Sequence, residues 1–266
     1  MHPVLFQLGS LVVPSYGVVA AVGVLLALWL AQITARRAGL DPRHAWNLLV
    51  LAVFSSLVAS RLLLIAMNLS DLRRHPRWLL AVAMVHHPLL AAVGFAGAGI
   101  AVAIYIRWAR LPLLTVTDAL VAPLSVGMAL EQAGALLAGS GFGSETAVRW
   151  AVTYTSPVAA RWSGTPLGVA LHPVQAYAAA GSLIVGLATL ALLSRSWRTG
   201  DITGAWLIAN GALLFLTELF RDWEGRGVLL RGSVDAEQLL ALGMVLVGGL
   251  VLTDLRQRFV RKVTHV

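Results

Sequence analysis

Apolar residues run along this chain in long, nearly unbroken blocks, and polar residues gather in the gaps between them. A bilayer core of about 30 Å needs about 20 predominantly apolar residues per helix. Seven blocks qualify as spans, at roughly 11–35, 45–67, 79–106, 114–139, 170–193, 204–220 and 236–255. The gaps hold Arg36-Arg37 with Asp41-Pro42, Arg73-Arg74-His75-Pro76-Arg77, Arg110-Leu111-Pro112, the longer stretch 140–169, Ser194 to Gly200, Arg221 to Ser233 and a basic tail. A membrane barrel would instead show segments of about ten residues in strict alternation. The pattern therefore predicts an all-α polytopic membrane protein with seven transmembrane helices. It forms one domain over 1–266, with a segment on the outer face at 140–169.

Seven spans put the two ends of the chain on opposite sides. With the N-terminus outside, the inner gaps and tail hold Arg36, Arg37, Arg43, Arg107, Arg110, Arg195, Arg198, Arg256, Arg258, Arg261 and Lys262. The outer gaps hold Arg73, Arg74, Arg77, Arg149, Arg161, Arg221, Arg226 and Arg231, so the excess of cations favours this orientation, with the basic tail in the cytoplasm. The start lacks the Lys/Arg region and small-residue cleavage site of a signal peptide, so the first apolar block is expected to stay in the mature chain.

Composition agrees with the pattern. The chain is 58% hydrophobic and only 12% charged, with mean hydropathy +0.80, whereas soluble domains carry about 25% charged residues. The net charge of +8 comes from arginines beside apolar segments, which is the signature of anchoring at anionic headgroups and not of nucleic-acid binding. There is no Cys, which excludes disulfides, thiolate metal sites and a cysteine nucleophile.

Ionisable groups at membrane depth are costly and mark candidate sites. Arg61 lies within the second span; it either snorkels to headgroups or offers a bidentate fork to a phosphate or carboxylate. Glu131 and Gln132 sit in a segment otherwise made of Ala, Leu, Gly and Met, so the carboxyl group is protonated or paired. Glu218 and Arg221 are three residues apart, a spacing that suits a local ion pair or the acid and cation of a site. Gly139, Gly141 and Gly143 follow the fourth span as a helix cap or as a loop that approaches a ligand closely. Trp150 to Tyr154 alternates like a short interfacial strand, and His172-Pro173-Val174-Gln175-Ala176-Tyr177 opens the fifth span.

Read in order, these pieces resemble the prolipoprotein diacylglyceryl transferase family. The matching residues are His2-Pro3-Val4-Leu5-Phe6 with Gly9, Ser15-Tyr16-Gly17, Arg36 to Pro42, Ser60-Arg61-Leu62, His75-Pro76, Asp118 with Ala122-Pro123 and Gly127, and Trp150-Ala151-Val152. His172 to Tyr177, Glu218-Leu219-Phe220-Arg221 and Gln238-Leu239-Leu240 complete a match that spans the chain in order. The resemblance implies a seven-helix enzyme of the bacterial inner membrane. Such an enzyme transfers a diacylglyceryl group from phosphatidylglycerol, or a related anionic phospholipid, to the lipobox cysteine of a preprolipoprotein, without metal or cofactor. It implies that Arg61 and Arg221 hold the phosphate, that Glu218 or Glu131 acts as base and that Tyr16 is a donor. Gly139, Gly143, His172, Gln175, Tyr177 and Gln238 then line the substrate.

Departures from the family pattern cluster in the same machinery. Where the family signature carries an arginine, two asparagines and a glutamate, this chain has Gln132, Ala135, Ala138 and Ser140. A further arginine falls on Leu214, and the family's histidine falls near Ala92-Val93-Gly94, with His86-His87 five residues earlier. Two alternatives follow: a transferase with a different lipid or acceptor, and a non-catalytic paralogue that binds lipid or a lipoprotein precursor.

Overall fold

The computed structural model describes residues 2–9, 11–69, 88–195, 198–222, 228–229 and 234–253. His75-Pro76, His86-His87, Arg73, Arg74, Arg77, Arg226, Arg231 and the basic tail from 254 onward lie outside the described residues.

Some of the helices begin where a side chain or a proline suits the free N–H groups of a first turn. A hairpin of β1 (Val4–Leu8) and β2 (Leu11–Pro14) precedes α1 (Ser15–Arg37). The first apolar block thus starts as a strand rather than a span. Ser15 at its end donates its backbone N–H to the Pro3 carbonyl at 3.0 Å, which ties the hairpin to the helix. After Gly39, α2 (Pro42–Met67) starts with Asp41, whose carboxylate accepts from the Arg43 N–H at 2.9 Å, and with Pro42 in the first helical position. Next come α3 (Pro88–Trp108) and α4 (Leu113–Ala138), separated by the Arg110 turn. Beyond α4 lie β3 (Val152–Thr153), the short α5 (Pro157–Ser163) capped by Ser156, and β4 (Ala170–Leu171), which pairs with β3. The chain continues through α6 (Val174–Leu193), α7 (Asp201–Glu218), the small pair β5 (Val228–Leu229) and β6 (Val234–Asp235), and α8 (Ala236–Leu252).

This is an all-α membrane protein with several spans. By length and composition, α1, α2, α4 and α6 can cross a bilayer, and α3 and α8 contain shorter apolar stretches. Large apolar side chains such as Leu25, Phe54, Phe95, Ile100 and Leu246 face outward from the bundle, as a hydrocarbon solvent requires. In lipid, association depends on close packing because apolar contact alone gives no preference. The closest neighbours are α1 with α4, α7 with α8, α4 with α6, and α2 with α3.

Up-and-down connectivity gathers the start of α1, the ends of α2, α4 and α7, and the starts of α6 and α8 at one end of the bundle. The opposite end holds the apolar cluster of Leu28, Ala31, Ala35, Ala45, Leu48, Ile106, Val116 and Leu120. There, α7 begins at Gly200, which has no side chain to cap it. Asp118 of α4 supplies the cap across the interface, accepting from the N–H groups of Gly200 and Thr203 and from the Thr203 hydroxyl.

Candidate functional site

At the end of the bundle opposite that cap, α4 carries Glu131 and, three residues on, Gly134. A Cβ on Gly134 would lie 3.2 Å from the Tyr16 carbonyl oxygen and 3.3 Å from its Cα, so the absent side chain lets the first turn of α1 rest on the last turns of α4. That contact brings the Tyr16 hydroxyl to Glu131, where it donates to Oε1 at 3.0 Å. Gln132 donates from Nε2 to the other oxygen, Oε2, at 2.8 Å. Glu131 is thus held by two neutral donors and is only partly buried.

Glu218 closes α7 and is completely buried. Arg221, one turn on, donates from Nε to Oε1 at 2.7 Å and to Oε2 at 2.9 Å, while 24% of its side chain stays exposed. Its Nη1 also donates to the Gly141 carbonyl at 3.3 Å. Glu131 near the end of α4 and the Glu218–Arg221 pair at the end of α7 lie at the same end of the bundle.

The glycine loop is bound to that arginine through its backbone. Gly143 forms a bridge with Arg221, Ser144 donates its N–H to the Phe220 carbonyl at 2.9 Å, and Asp222 donates to the Phe142 carbonyl. Gly139 is the left-handed cap of α4, at φ +85°, and a Cβ there would meet Thr165, Ala159 and Tyr154. Gly143 lies against the backbone of His172, where a Cβ would come within 2.5 Å of the carbonyl oxygen. Both glycines are therefore explained by packing: they let 139–144 fold between α6 and α7 and present Arg221.

His172, Gln175 and Tyr177 hold this loop in place. The Gln175 amide donates to the Ser140 carbonyl at 2.7 Å and is buried. His172 Nδ1 lies 3.3 Å from the Tyr177 hydroxyl, which accepts from the Trp150 indole at 2.7 Å. The His172 and Tyr177 rings both pack on Phe220, with centroids 5.0 and 5.9 Å away. Tyr154, under the loop, donates to the Leu136 carbonyl at 3.1 Å, and burial pushes its phenol up to about 12.

Gln238 is engaged in the capping box of α8: its N–H donates to the Asp235 carboxylate at 2.6 Å, and its own side-chain oxygen accepts from the Asp235 N–H at 3.4 Å. Arg61 is half-buried at the same end of the bundle, on the helix that packs chiefly on α3 and then on α1. The structure thus joins Tyr16, Glu131 and Gln132 in one cluster and Glu218 and Arg221 in a second at the same end of the bundle, and sets Gly139, Gly143, His172, Gln175, Tyr177 and Gln238 in the scaffold beside them.

Sequence reasoning missed Asp235 and Glu237, whose carboxylate oxygens lie within 4.8 Å of one another and of a Glu218 oxygen. The Asp235-x-x-Gln238 spacing before an apolar run could have marked the cap. Nothing in the linear spacing could have placed Glu218 beside it.

The chain is similar to known proteins over nearly its whole length. The profile of the prolipoprotein diacylglyceryl transferase family matches residues 3–253. The phosphatidylglycerol–prolipoprotein diacylglyceryl transferase of Vibrio cholerae is 30% identical over 260 residues, covering 95% of this chain and 90% of that protein. Proteins of the same name from Methylibium petroleiphilum and Clostridium tetani are 28% and 24% identical, covering 92% and 93% of this chain and 93% and 95% of theirs. The order of helices, the Glu218–Arg221 pair at the end of α7 and the glycine loop docked on it all lie within the matched span, and the chain belongs to the prolipoprotein diacylglyceryl transferase family.

Proposed function

We propose that the chain is a seven-span enzyme that transfers a diacylglyceryl group from phosphatidylglycerol to the lipobox cysteine of a preprolipoprotein. It would sit in the bacterial inner membrane as a single seven-helix domain, with its N-terminus outside, its C-terminus in the cytoplasm and residues 140–169 on the outer face. The observation that carries this reading is the Arg221 guanidinium, clamped by a buried carboxylate, docked on a glycine loop and still a quarter exposed. The matched relatives, named for the same reaction, support it.

In the reaction the bond between the glycerol carbon and the phosphate oxygen breaks, and a carbon–sulfur bond forms. The thiol must lose its proton, and the departing phosphate must keep its charge in a low-dielectric site. Arg221 offers a fixed cation to that phosphate, and Arg61, at the same end of the bundle, is the second. Glu218 is buried and committed to Arg221 through both oxygens, so it orients the arginine and a thiol does not reach it. Glu131 is partly exposed and is the carboxylate that takes the proton. Tyr16 and Gln132, one on each oxygen, hold it in place. With Gln132 and Leu214 at positions where the family pattern has arginine, turnover on phosphatidylglycerol is expected to be slow.

The test is transfer of labelled phosphatidylglycerol to a lipobox peptide in membranes that contain the chain, together with rescue of a strain depleted of its own transferase. Transfer above a vector control supports the reading. No transfer and no rescue, beside a working positive control, overturns it in favour of a binding role without catalysis. A reporter fused to the C-terminus tests the topology: activity only on the outer side would reverse the proposed orientation.

A further inference from the structure

The end of α7 and the start of α8 bring three carboxylates together, and the local structure accounts for only part of that. Asp235 and Glu237, taken alone, suit the start of α8, because acidic groups in a first turn are favoured by the helix dipole. Glu218 is different: it arrives from α7, completely buried, and places a third negative charge among them. Arg221 pairs with Glu218, while Asp235 and Glu237 approach it from α8.

Asp235 carries the second, independent observation. It is 4% exposed. Its Oδ1 accepts from the Gln238 N–H, whereas its Oδ2 is buried with no hydrogen-bond partner. A buried carboxylate oxygen without a donor costs several kcal/mol unless something positive meets it.

We propose that Glu218, Asp235 and Glu237 form a binding site for a hard divalent cation of the Ca2+ class. All three ligands are oxygens, which suits Ca2+, Mg2+ or Mn2+ and not a zinc site built from His or Cys. Two oxygens on opposite sides of a Ca2+ at about 2.4 Å lie about 4.8 Å apart, while around Mg2+, at about 2.1 Å, they lie about 4.2 Å apart. The cluster's oxygens all lie within 4.8 Å of one another, a span that a Ca2+ ion can bridge. Three carboxylates do not fill the six to eight positions that Ca2+ takes, which leaves room for water or for a phosphate oxygen arriving beside Arg221. The cation would add positive charge beside Arg221 where an anionic headgroup could approach. That use rests on the transferase reading; the binding of the cation does not.

The test is calorimetric titration of Ca2+ into the full-length protein in neutral-detergent micelles without lipid. The wild type is expected to take up one Ca2+ per chain in a saturable isotherm. Asp235→Asn, which keeps a side-chain oxygen to cap α8, is expected to weaken uptake at least tenfold, and Glu237→Gln to weaken it in the same direction. Absence of a saturable isotherm for the wild type overturns the site, as does an Asp235→Asn protein that titrates like the wild type. Should that variant not fold, Glu237→Gln, on a less buried residue, decides by the same criterion. Protein that binds Ca2+ but transfers no lipid would overturn the transferase reading and leave the cation site standing.

Discussion

The two ends of the helix bundle each hold a carboxylate from α4, and they use it in opposite ways. Asp118, at one end, accepts three hydrogen bonds from α7 and is fully consumed in capping a helix that begins at a glycine. Glu131, at the other end, is held by two side chains and stays partly exposed, at the end that also holds Glu218 and Arg221. The apolar cluster surrounds the first end, whereas the glycine loop and the chain crossings surround the second. A buried acid whose partners are backbone donors of a neighbouring helix is structural. One held by side chains and still partly exposed is a candidate to act on something else.

Substitution can break this contrast, and the largest effect is expected at the clamp. Arg221→Ala and Glu218→Gln should each reduce lipid transfer about 10²- to 10³-fold, the size of losing one preorganised group at a developing charge. The measurement is labelled-lipid transfer normalised to folded protein. Equal transfer by the wild type and Glu218→Gln would remove Glu218 from the machinery.

At the opposite end, Asp118→Ala should destabilise the fold by about 1–3 kcal/mol, because the donors of Gly200 and Thr203 stay buried without an acceptor. Thermal unfolding in detergent reads this directly. Transfer per folded molecule should stay near the wild-type value, and a collapse of transfer with unchanged stability would contradict the division between the two ends.

Tyr16→Phe removes one of the two donors on Glu131 and leaves the α1–α4 packing intact. A loss of transfer of roughly ten- to a hundredfold is expected, in keeping with about 1.5–3 kcal/mol for a hydrogen bond to a charged group. Glu131→Gln should exceed it, since the proton acceptor itself is lost. A Tyr16→Phe effect larger than that of Glu131→Gln would point to the phenol as the reacting group.

His172→Ala is expected to have the smallest effect, a loss on the order of a few-fold, since the ring supports the loop through Tyr177 and Phe220 and contributes a neutral hydrogen bond. A loss matching that of Arg221→Ala would bring His172 into contact with substrate.

Much of this architecture is readable in the linear chain. Apolar blocks of span length, arginines at their ends and the pairs Asp41-Pro42 and Ser156-Pro157 mark where helices run and start, because a bilayer accepts only segments that satisfy their own backbone. Glu218 and Arg221 are legible as a pair for the same reason: a spacing of three puts them on one helix face. Gly139 is legible as a helix end, although what fills the space beside it is not. The first apolar block misleads, since 11–14 are as hydrophobic as a span and yet pair with 4–8 as a hairpin. Hydropathy does not distinguish a strand held by a neighbouring strand from the start of a helix.

Sequence by itself determined the solvent, the helix content, the family and the residue types at the site, all of which depend on composition, local spacing and order along one chain. Only the tertiary structure decided which of those residues meet. Tyr16 and Glu131 are 115 positions apart and touch because Gly134 lets α1 approach α4. Asp118 caps α7 because the bundle sets their ends side by side. Glu218 joins Asp235 and Glu237 because α7 and α8 pack side by side. Contacts of this kind depend on helix separation and rotation, which arise from the fit of whole surfaces and leave no periodic mark on the chain.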